Sequence, residues 1–450
     1  MKNIIRFFAT GKDKPLIQDE DKVNRLYKKY RLSVMLAISV GYGLAYTLRL
    51  ALNMVKKPIL DAGIFSPTDL GNIGSALLYT YAIGKFTNGF LADHANVKRF
   101  FSFGVLMSAL VNIAMGSSAI LWLWIVLWGL NGWFQSFGAP TGAVTLSNWF
   151  SKSERGRFYG IWSTGHNIGE GLTFVVTSAI VSYWGWRAGF IVPGLFCILL
   201  SGLIYLALQD KPRTLGLPLV ADWKKDHDVV PILEKDKAEK TVGAQLKVLK
   251  TPAIWVLGFA SAFVYMTRYA INSWGVLYLQ EAKGYSLLET GGILGLNTVA
   301  GIFGCIVYGF ISDKLFKARR PPVTLIYGII ELTALFIIFF SAPNQPLLVT
   351  AAFVCYGFTM SGLLASLGGL FAIDIAPKKA AGAAMGFIGI FSYIGAGIQD
   401  QISGLLIEKG CRIVDGSLTY DFSKVVMYWI GSSVLSMILA ATLWKAKTSD

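Results

Sequence analysis

Two eight-residue stretches, YTLRLALN (46–53) and YMTRYAIN (265–272), share one frame. Tyr46, Arg49 and Asn53 become Tyr265, Arg268 and Asn272, each displaced by 219 positions. Both stretches lie inside apolar runs long enough to cross a bilayer. A charged side chain at that depth costs from about 2.5 kcal/mol to well over ten, according to the scale used. Guanidinium is planar and permanently charged, and it binds phosphate or carboxylate oxygens through paired hydrogen bonds. Two such groups at equivalent places predict a clamp for one anion. The alternative is that each arginine pairs with a neighbouring acid and serves structure alone.

The elements that must carry these residues follow from composition. Of 450 residues, 54% are hydrophobic, 14% aromatic and 15% charged, and the mean hydropathy is +0.54. A soluble protein carries about a quarter charged residues. Forty-eight glycines in so apolar a chain suit membrane helices, where small residues let backbones approach. The chain reads as an all-α polytopic membrane protein with about twelve spans, at 32–55, 69–92, 99–117, 120–148, 157–184, 187–208, 252–280, 287–312, 322–341, 345–373, 381–407 and 424–445.

Lysine and arginine set the orientation. They crowd the N-terminal tail (Lys22, Arg25, Lys28, Lys29, Arg31) and alternate loops: Lys98 and Arg99; Lys152, Arg155 and Arg157; Lys314, Lys317, Arg319 and Arg320; Lys378 and Lys379. The intervening loops GSSA and SAPNQP carry none. The positive-inside rule and an even span count then put both ends in the cytoplasm, with the chain in the cell (inner) membrane. The net charge of +15 is spent on these flanks, which argues against a nucleic-acid partner. Cys197, Cys305, Cys355 and Cys411 are scattered; three lie in apolar segments and read as small packing residues. No metal, disulfide or cofactor framework is legible, and no nucleophile–base pair suggests an enzyme. The opening MKNIIRFFATGKDKPLIQDEDK reads as a cytosolic tail rather than a signal peptide.

The expected organisation is a tail (1–31), a six-helix bundle (32–208), a cytoplasmic linker (209–251), a second bundle (252–445) and a short tail (446–450). His227 in the linker reads as a solvated histidine. The bundles repeat: GFLADHANVKR (89–99) returns as GFISDKLFKARR (309–320), with Asp93 and Asp313 displaced by 220. A weaker match joins NIGEG (167–171) to YIGAG (393–397). Parallel halves related by an axis along the membrane normal are a transporter plan, with the substrate site between them near the midplane. That axis would bring Arg49 and Arg268 to one cleft from opposite sides.

The G-x-[LI]-[AS]-D loops resemble the major facilitator superfamily, whose fold is two bundles of six helices. More specifically, GYGLAYTLR (41–49), YAIGKFTNGFLAD (81–93), NGWFQSFGAP (131–140), SERGRFYGIWSTGHNIG (153–169), DKPRTLGLP (210–218), FVYMTRYAINSWGVLYLQE (263–281) and APKKAAGAAMGFIGIFSYIGA (376–396) resemble the organophosphate:phosphate antiporters. RYAINSWGVLYL and WGWRAG (184–189) look more like the hexose-phosphate transporter and sensor branch. The resemblance implies that Arg49 and Arg268 hold phosphate, that Lys85 stands at the cavity and that His166 hydrogen-bonds the anion. It implies that Tyr42, Tyr46, Tyr265 and Tyr393 line the cleft, with Gln135 in the matching GWFQ segment. The chain departs from its relatives at Leu50, where many have a second basic residue, and at Ser273, where an aspartate is common. It also departs at Ala139, at Glu170 and at Asp400.

Several residues keep two readings. Lys85 faces the cavity or snorkels to the membrane edge. His166 is a ligand or a packed polar residue. Glu170, one turn beyond His166, pairs with His166 or with Lys85. Asp400, between Gln399 and Gln401, contacts a sugar hydroxyl, makes an interhelical hydrogen bond or stands near the outer mouth. Asn53 and Asn272 orient the arginines, and Asn272 also reaches substrate. Asp93 and Asp313 latch helix ends to the loop cations. The sequence therefore predicts a monomeric carrier that exchanges a sugar phosphate, such as glucose 6-phosphate, for inorganic phosphate by rocker-switch alternating access. The rivals are a hexose-phosphate receptor signalling to a membrane sensor kinase, and a glycerol-3-phosphate or proton-coupled organic-anion carrier.

Overall fold

The computed structural model describes residues 7–225, 250–317, 319–375, 381–414 and 417–445. Most of the expected linker, with His227, lies outside the described residues, as do Lys378, Lys379 and the tail 446–450. Among the described residues the chain forms twelve helical rods. The first half holds α1 (Glu20–Ala45, continued by Thr47–Asp61), α2 (Pro67–His94), α3 (Val97–Ser117), α4 (Leu121–Gln135, continued by Gly138–Trp149), α5 (Lys152–Trp184) and α6 (Ala188–Ala207). The second holds α7 (Pro252–Tyr269, a π-turn over Ala270–Trp274, then Gly275–Ala282), α8 (Leu287–Phe310), α9 (Arg320–Phe340), α10 (Pro346–Ala365, extended by a π-turn and Phe371–Ile375), α11 (Ala381–Lys409) and α12 (Ser423–Thr442). The architecture is that expected: an all-α polytopic membrane protein.

Eight of these rods are long and apolar enough to cross a membrane by themselves. The other four are α2, α4, α5 and α11, although residues 381–398 of α11 are uncharged and apolar over the length of a span. The rod α4 is broken into pieces of 15 and 12 residues. The other three turn polar groups towards the seam between the halves: Tyr79 and Lys85 on α2, His166 and Glu170 on α5, Asp400 and Gln401 on α11.

The first helix begins earlier than hydropathy suggests. Asp19 caps it by accepting from the Lys22 amide at 3.0 Å, and Glu20 and Asp21 occupy its first turn, where the helix dipole favours acids. Its polar start is packed against the linker rather than free. The Tyr27 ring stacks on Trp223 at 4.2 Å and its hydroxyl donates to the Pro218 carbonyl at 2.6 Å. The preceding segment is tied down as well, since the Asn96 amide donates to the Phe8 carbonyl at 2.6 Å. A two-stranded hairpin between α11 and α12, β1 (Cys411–Val414) with β2 (Ser417–Tyr420), was not foreseen. Among the cysteines, Cys197 is buried, whereas Cys305 and Cys355 are exposed on helix surfaces, which corrects their reading as packing residues.

The halves meet most closely at the face where α1 ends and α2 begins, here called the far face. There α2 packs on α11 and α5 on α8. A Cβ on Gly71 would lie 2.6 Å from the Asp400 carbonyl, and one on Gly291 would lie 2.5 Å from the Phe174 carbonyl. Glycine at these positions is what allows the contact. Glu408 of α11 caps α2 by accepting from Ser66 Oγ at 2.8 Å and the Thr68 amide at 2.9 Å. Lys57 pairs with Glu281 across the same end. At the near face, where α1 begins and α12 ends, a Cβ on Gly89, Gly156, Gly160, Gly309 or Gly386 would meet nothing within 4 Å among the described residues.

Candidate functional site

Arg49 follows a break in α1. The helix pauses at Tyr46, whose carbonyl accepts from the Arg49 amide at 2.9 Å. A break frees carbonyls, and inside a membrane these need donors. The neighbouring helices supply them. Gln135 Nε2 donates to the freed Ala45 carbonyl at 3.1 Å, and Asn131 and Asn112 brace the continuing helix by donating to the Leu48 carbonyl at 2.8 and 3.1 Å. Ser108 links the set, accepting from Gln135 at 2.8 Å and donating to Asn131. Arg268 stands at the end of the regular part of α7, two residues before the π-turn, and the Thr267 carbonyl beside it accepts from the buried Tyr356 hydroxyl at 3.1 Å. Single π-turns of this kind concentrate at functional sites.

The two arginines line one cavity between the halves, of about 90 Å³. Tyr46, Leu50, His166 and Glu170 line it from the first half, and Tyr265, Tyr269, Asn272 and Tyr393 from the second. Arg49 Nη2 donates to the Tyr269 hydroxyl at 2.9 Å, and its guanidinium stands 4.1 Å from the centre of the Tyr81 ring. No carboxylate among the described residues pairs with it. Arg268 is answered differently: its Nη2 lies 2.7 Å from Glu170 Oε2, while Asn272 Nδ2 donates to Glu170 Oε1 at 2.6 Å. Glu170 thus pairs with neither His166 nor Lys85, because its carboxylate faces α7. The His166 ring lies 5.9 Å from that of Tyr46. A second polar chamber, lined by Asn167, Asn297, Thr298, Tyr356 and Ser361, shares Glu170, Arg268 and Asn272 with the first. Such a wall, with charge-assisted donors among tyrosine rings, suits a strongly hydrated anion.

Residues 34–399 match the family model for the Major Facilitator Superfamily. The chain belongs to the major facilitator superfamily. It is 34% identical over 400 residues to the membrane sensor protein UhpC of Salmonella typhimurium, covering 88% of this chain and 90% of that one. It is 34% identical to a probable hexose phosphate transport protein of Chlamydia trachomatis (96% and 94% covered) and 34% identical to the glycerol-3-phosphate transporter of Bacillus subtilis (95% of each). A bacterial homologue of the lysosomal transporter Spinster, solved inward-facing and unoccupied, superposes with a TM-score of 0.76 at 18% identity, over 93% of this chain and 97% of that one. These relatives are named for transport or for sensing, none as an enzyme, and the chain is a multi-pass membrane protein of the facilitator fold.

Within this facilitator cavity the expected residues do not all come together. Lys85 is exposed, 5.4 Å from the centre of the Tyr393 ring, beyond the wall. Tyr42 is buried behind Tyr46, packed on Trp162 at 5.4 Å. Gln135 serves the α1 break rather than the cavity surface. Asp400 is enclosed at the seam: its Oδ1 accepts from Ser273 Oγ at 2.7 Å and Trp274 Nε1 at 2.5 Å, and lies 3.5 Å from Lys56 Nζ. A Cβ on Gly74 would overlap it. Of its readings the interhelical one describes this placement. Asn53 is buried with no hydrogen bond to Arg49, and Asn272 holds Glu170 rather than Arg268. Asp313 does latch, pairing with Arg320 at 2.8 Å, which also holds Asp374 at 2.8 Å. Asp93 is exposed and makes no ion pair among the described residues.

Sequence reasoning missed Tyr269, Tyr81 and Lys56. Tyr269 was within reach, since it stands 219 positions after Leu50 and both line the cavity. Lys56 gave a weaker signal, a lysine at the end of an apolar run with Lys57 beside it.

Proposed function

We propose that the chain carries a sugar phosphate, probed most simply with glucose 6-phosphate, across the cell (inner) membrane in exchange for inorganic phosphate, with both termini cytoplasmic. The observation that carries this reading is the shared cavity of Arg49 and Arg268, one from each half, at equivalent places of an internal repeat. The relatives named for hexose phosphate and glycerol 3-phosphate transport support the substrate class. His166, Tyr46, Tyr265 and Tyr393 stand where donors and an aromatic wall would complete an oxyanion's shell.

The mechanism is alternating access. An anion bridging both guanidiniums ties the halves together at the midplane and favours the turnover of the loaded carrier. The empty carrier keeps Arg49 without a counter-anion, and burying that charge opposes closure. Net movement is therefore slow and exchange fast. In vesicles preloaded with phosphate, uptake of labelled glucose 6-phosphate should far exceed that in phosphate-free vesicles; equal uptake would overturn the exchange mechanism. The monomer suffices, since the cavity is built from one chain.

A receptor reading has one specific support, the likeness to a membrane sensor protein at an identity equal to that with the transporters. In that case the same cavity would bind sugar phosphate and signal to a membrane kinase. Binding of glucose 6-phosphate without counterflow in vesicles would select it.

A further inference from the structure

Glu170 is placed so that it fills the substrate's role when substrate is absent. Its two carboxylate oxygens accept from Arg268 Nη2 at 2.7 Å and Asn272 Nδ2 at 2.6 Å, as two oxygens of a phosphoryl group would. It belongs to α5 while both donors belong to α7, so the contact spans the halves. It is also part of the wall shared by the two chambers. The side chamber beyond it is rich in uncharged polar groups, and one of them, Asn297 Oδ1, is buried without a hydrogen-bond partner.

Resting on the phosphate-site reading above, we propose that Glu170 is a tethered competitor for Arg268 that selects phosphate esters carrying hydroxyl groups. A phosphoryl group that takes two donors of Arg268 including Nη2 must displace the Glu170 carboxylate, which holds that nitrogen at 2.7 Å. Glu170 is 4% exposed, so the displaced carboxylate stays away from bulk water and requires new donors. Inorganic phosphate and a bare alkyl phosphate bring few. A polyol phosphate brings several hydroxyls, which the carboxylate and Asn297 Oδ1 can accept from. The residue therefore penalises inorganic phosphate more than a sugar phosphate. It makes the organic end of the ligand count, although every cation in the wall addresses the phosphate end.

The test is isothermal titration of the purified full-length protein with inorganic phosphate, methyl phosphate, glycerol 3-phosphate and glucose 6-phosphate. In Glu170→Gln the competitor loses its charge. Affinity for inorganic and methyl phosphate should rise at least about fivefold, and the preference for glucose 6-phosphate over methyl phosphate should shrink by a similar factor. Asn297→Ala should weaken glucose 6-phosphate several-fold and leave methyl phosphate unchanged; it carries the test alone if Glu170→Gln does not fold. An unchanged preference in Glu170→Gln, or in Asn297→Ala where that variant stands alone, overturns the proposal while leaving the phosphate site intact. If the unaltered protein binds none of the four ligands, the phosphate-site reading itself fails.

Discussion

A guanidinium that stays charged at every accessible pH must be answered by something when its ligand is away, and the two arginines have different answers. Arg49 leans on aromatic faces and one phenol, Arg268 on a carboxylate. Tyr269→Phe removes the hydrogen bond that aims Arg49. We expect phosphate affinity to fall by about 1.5 kcal/mol, roughly tenfold, in titration calorimetry. Asp400→Asn leaves the Lys56 ammonium buried and unpaired, at a cost of about 3–5 kcal/mol. Its melting temperature should drop markedly while the order of preferred sugar phosphates stays the same; a changed order would return Asp400 to the substrate. Replacing both partners, Lys56→Met with Asp400→Leu, should recover much of the lost stability. The arginines were legible because they repeat. The Lys56–Asp400 pair was not, because its members come from opposite ends of the sequence and nothing in either segment names the other.

At the scale of the element, the decisive features are the irregular turns beside the arginines, at Tyr46 before Arg49 and at Ala270–Trp274 after Arg268. Hydropathy over a window of about 20 residues reports a continuous span and cannot register a break at Tyr46. Neither break has a proline to announce it; the only proline in that part of α1 is Pro58. What makes the break affordable lies on other helices, in Asn112, Asn131 and Gln135. The sequence put Gln135 in a segment that matched relatives but could not give its duty. Asn131→Ala strips one donor from the Leu48 carbonyl, and we expect a loss of about 1–2 kcal/mol in thermal unfolding together with weaker phosphate binding. Stability lost with binding unchanged would mean that the network supports the fold without positioning Arg49.

For the whole molecule, the repeat at 219 to 220 positions gave the two halves, and the apolar runs of about 20 residues gave the number of spans. Which face is closed was not legible, because the same sequence must serve both states. The structure closes the far face through Gly71, Gly291, Lys57–Glu281 and the Glu408 cap on α2. If these contacts must part during each cycle, tying them should stop transport. In a variant lacking the native cysteines, a disulfide between Ser66→Cys and Glu408→Cys should abolish exchange in vesicles. Ligand binding in detergent should persist, and reduction should restore exchange. Exchange that continues through the cross-link would show that the far face need not open.

The central claim is that Arg49 and Arg268 hold the same oxyanion, and a double-mutant cycle on phosphate binding measures it. Arg49→Lys and Arg268→Lys are titrated with inorganic phosphate singly and together. Two groups on one anion should couple by more than about 1 kcal/mol, with the double variant losing far less than the sum of the singles. Strict additivity, or full affinity in either single variant, would contradict the account.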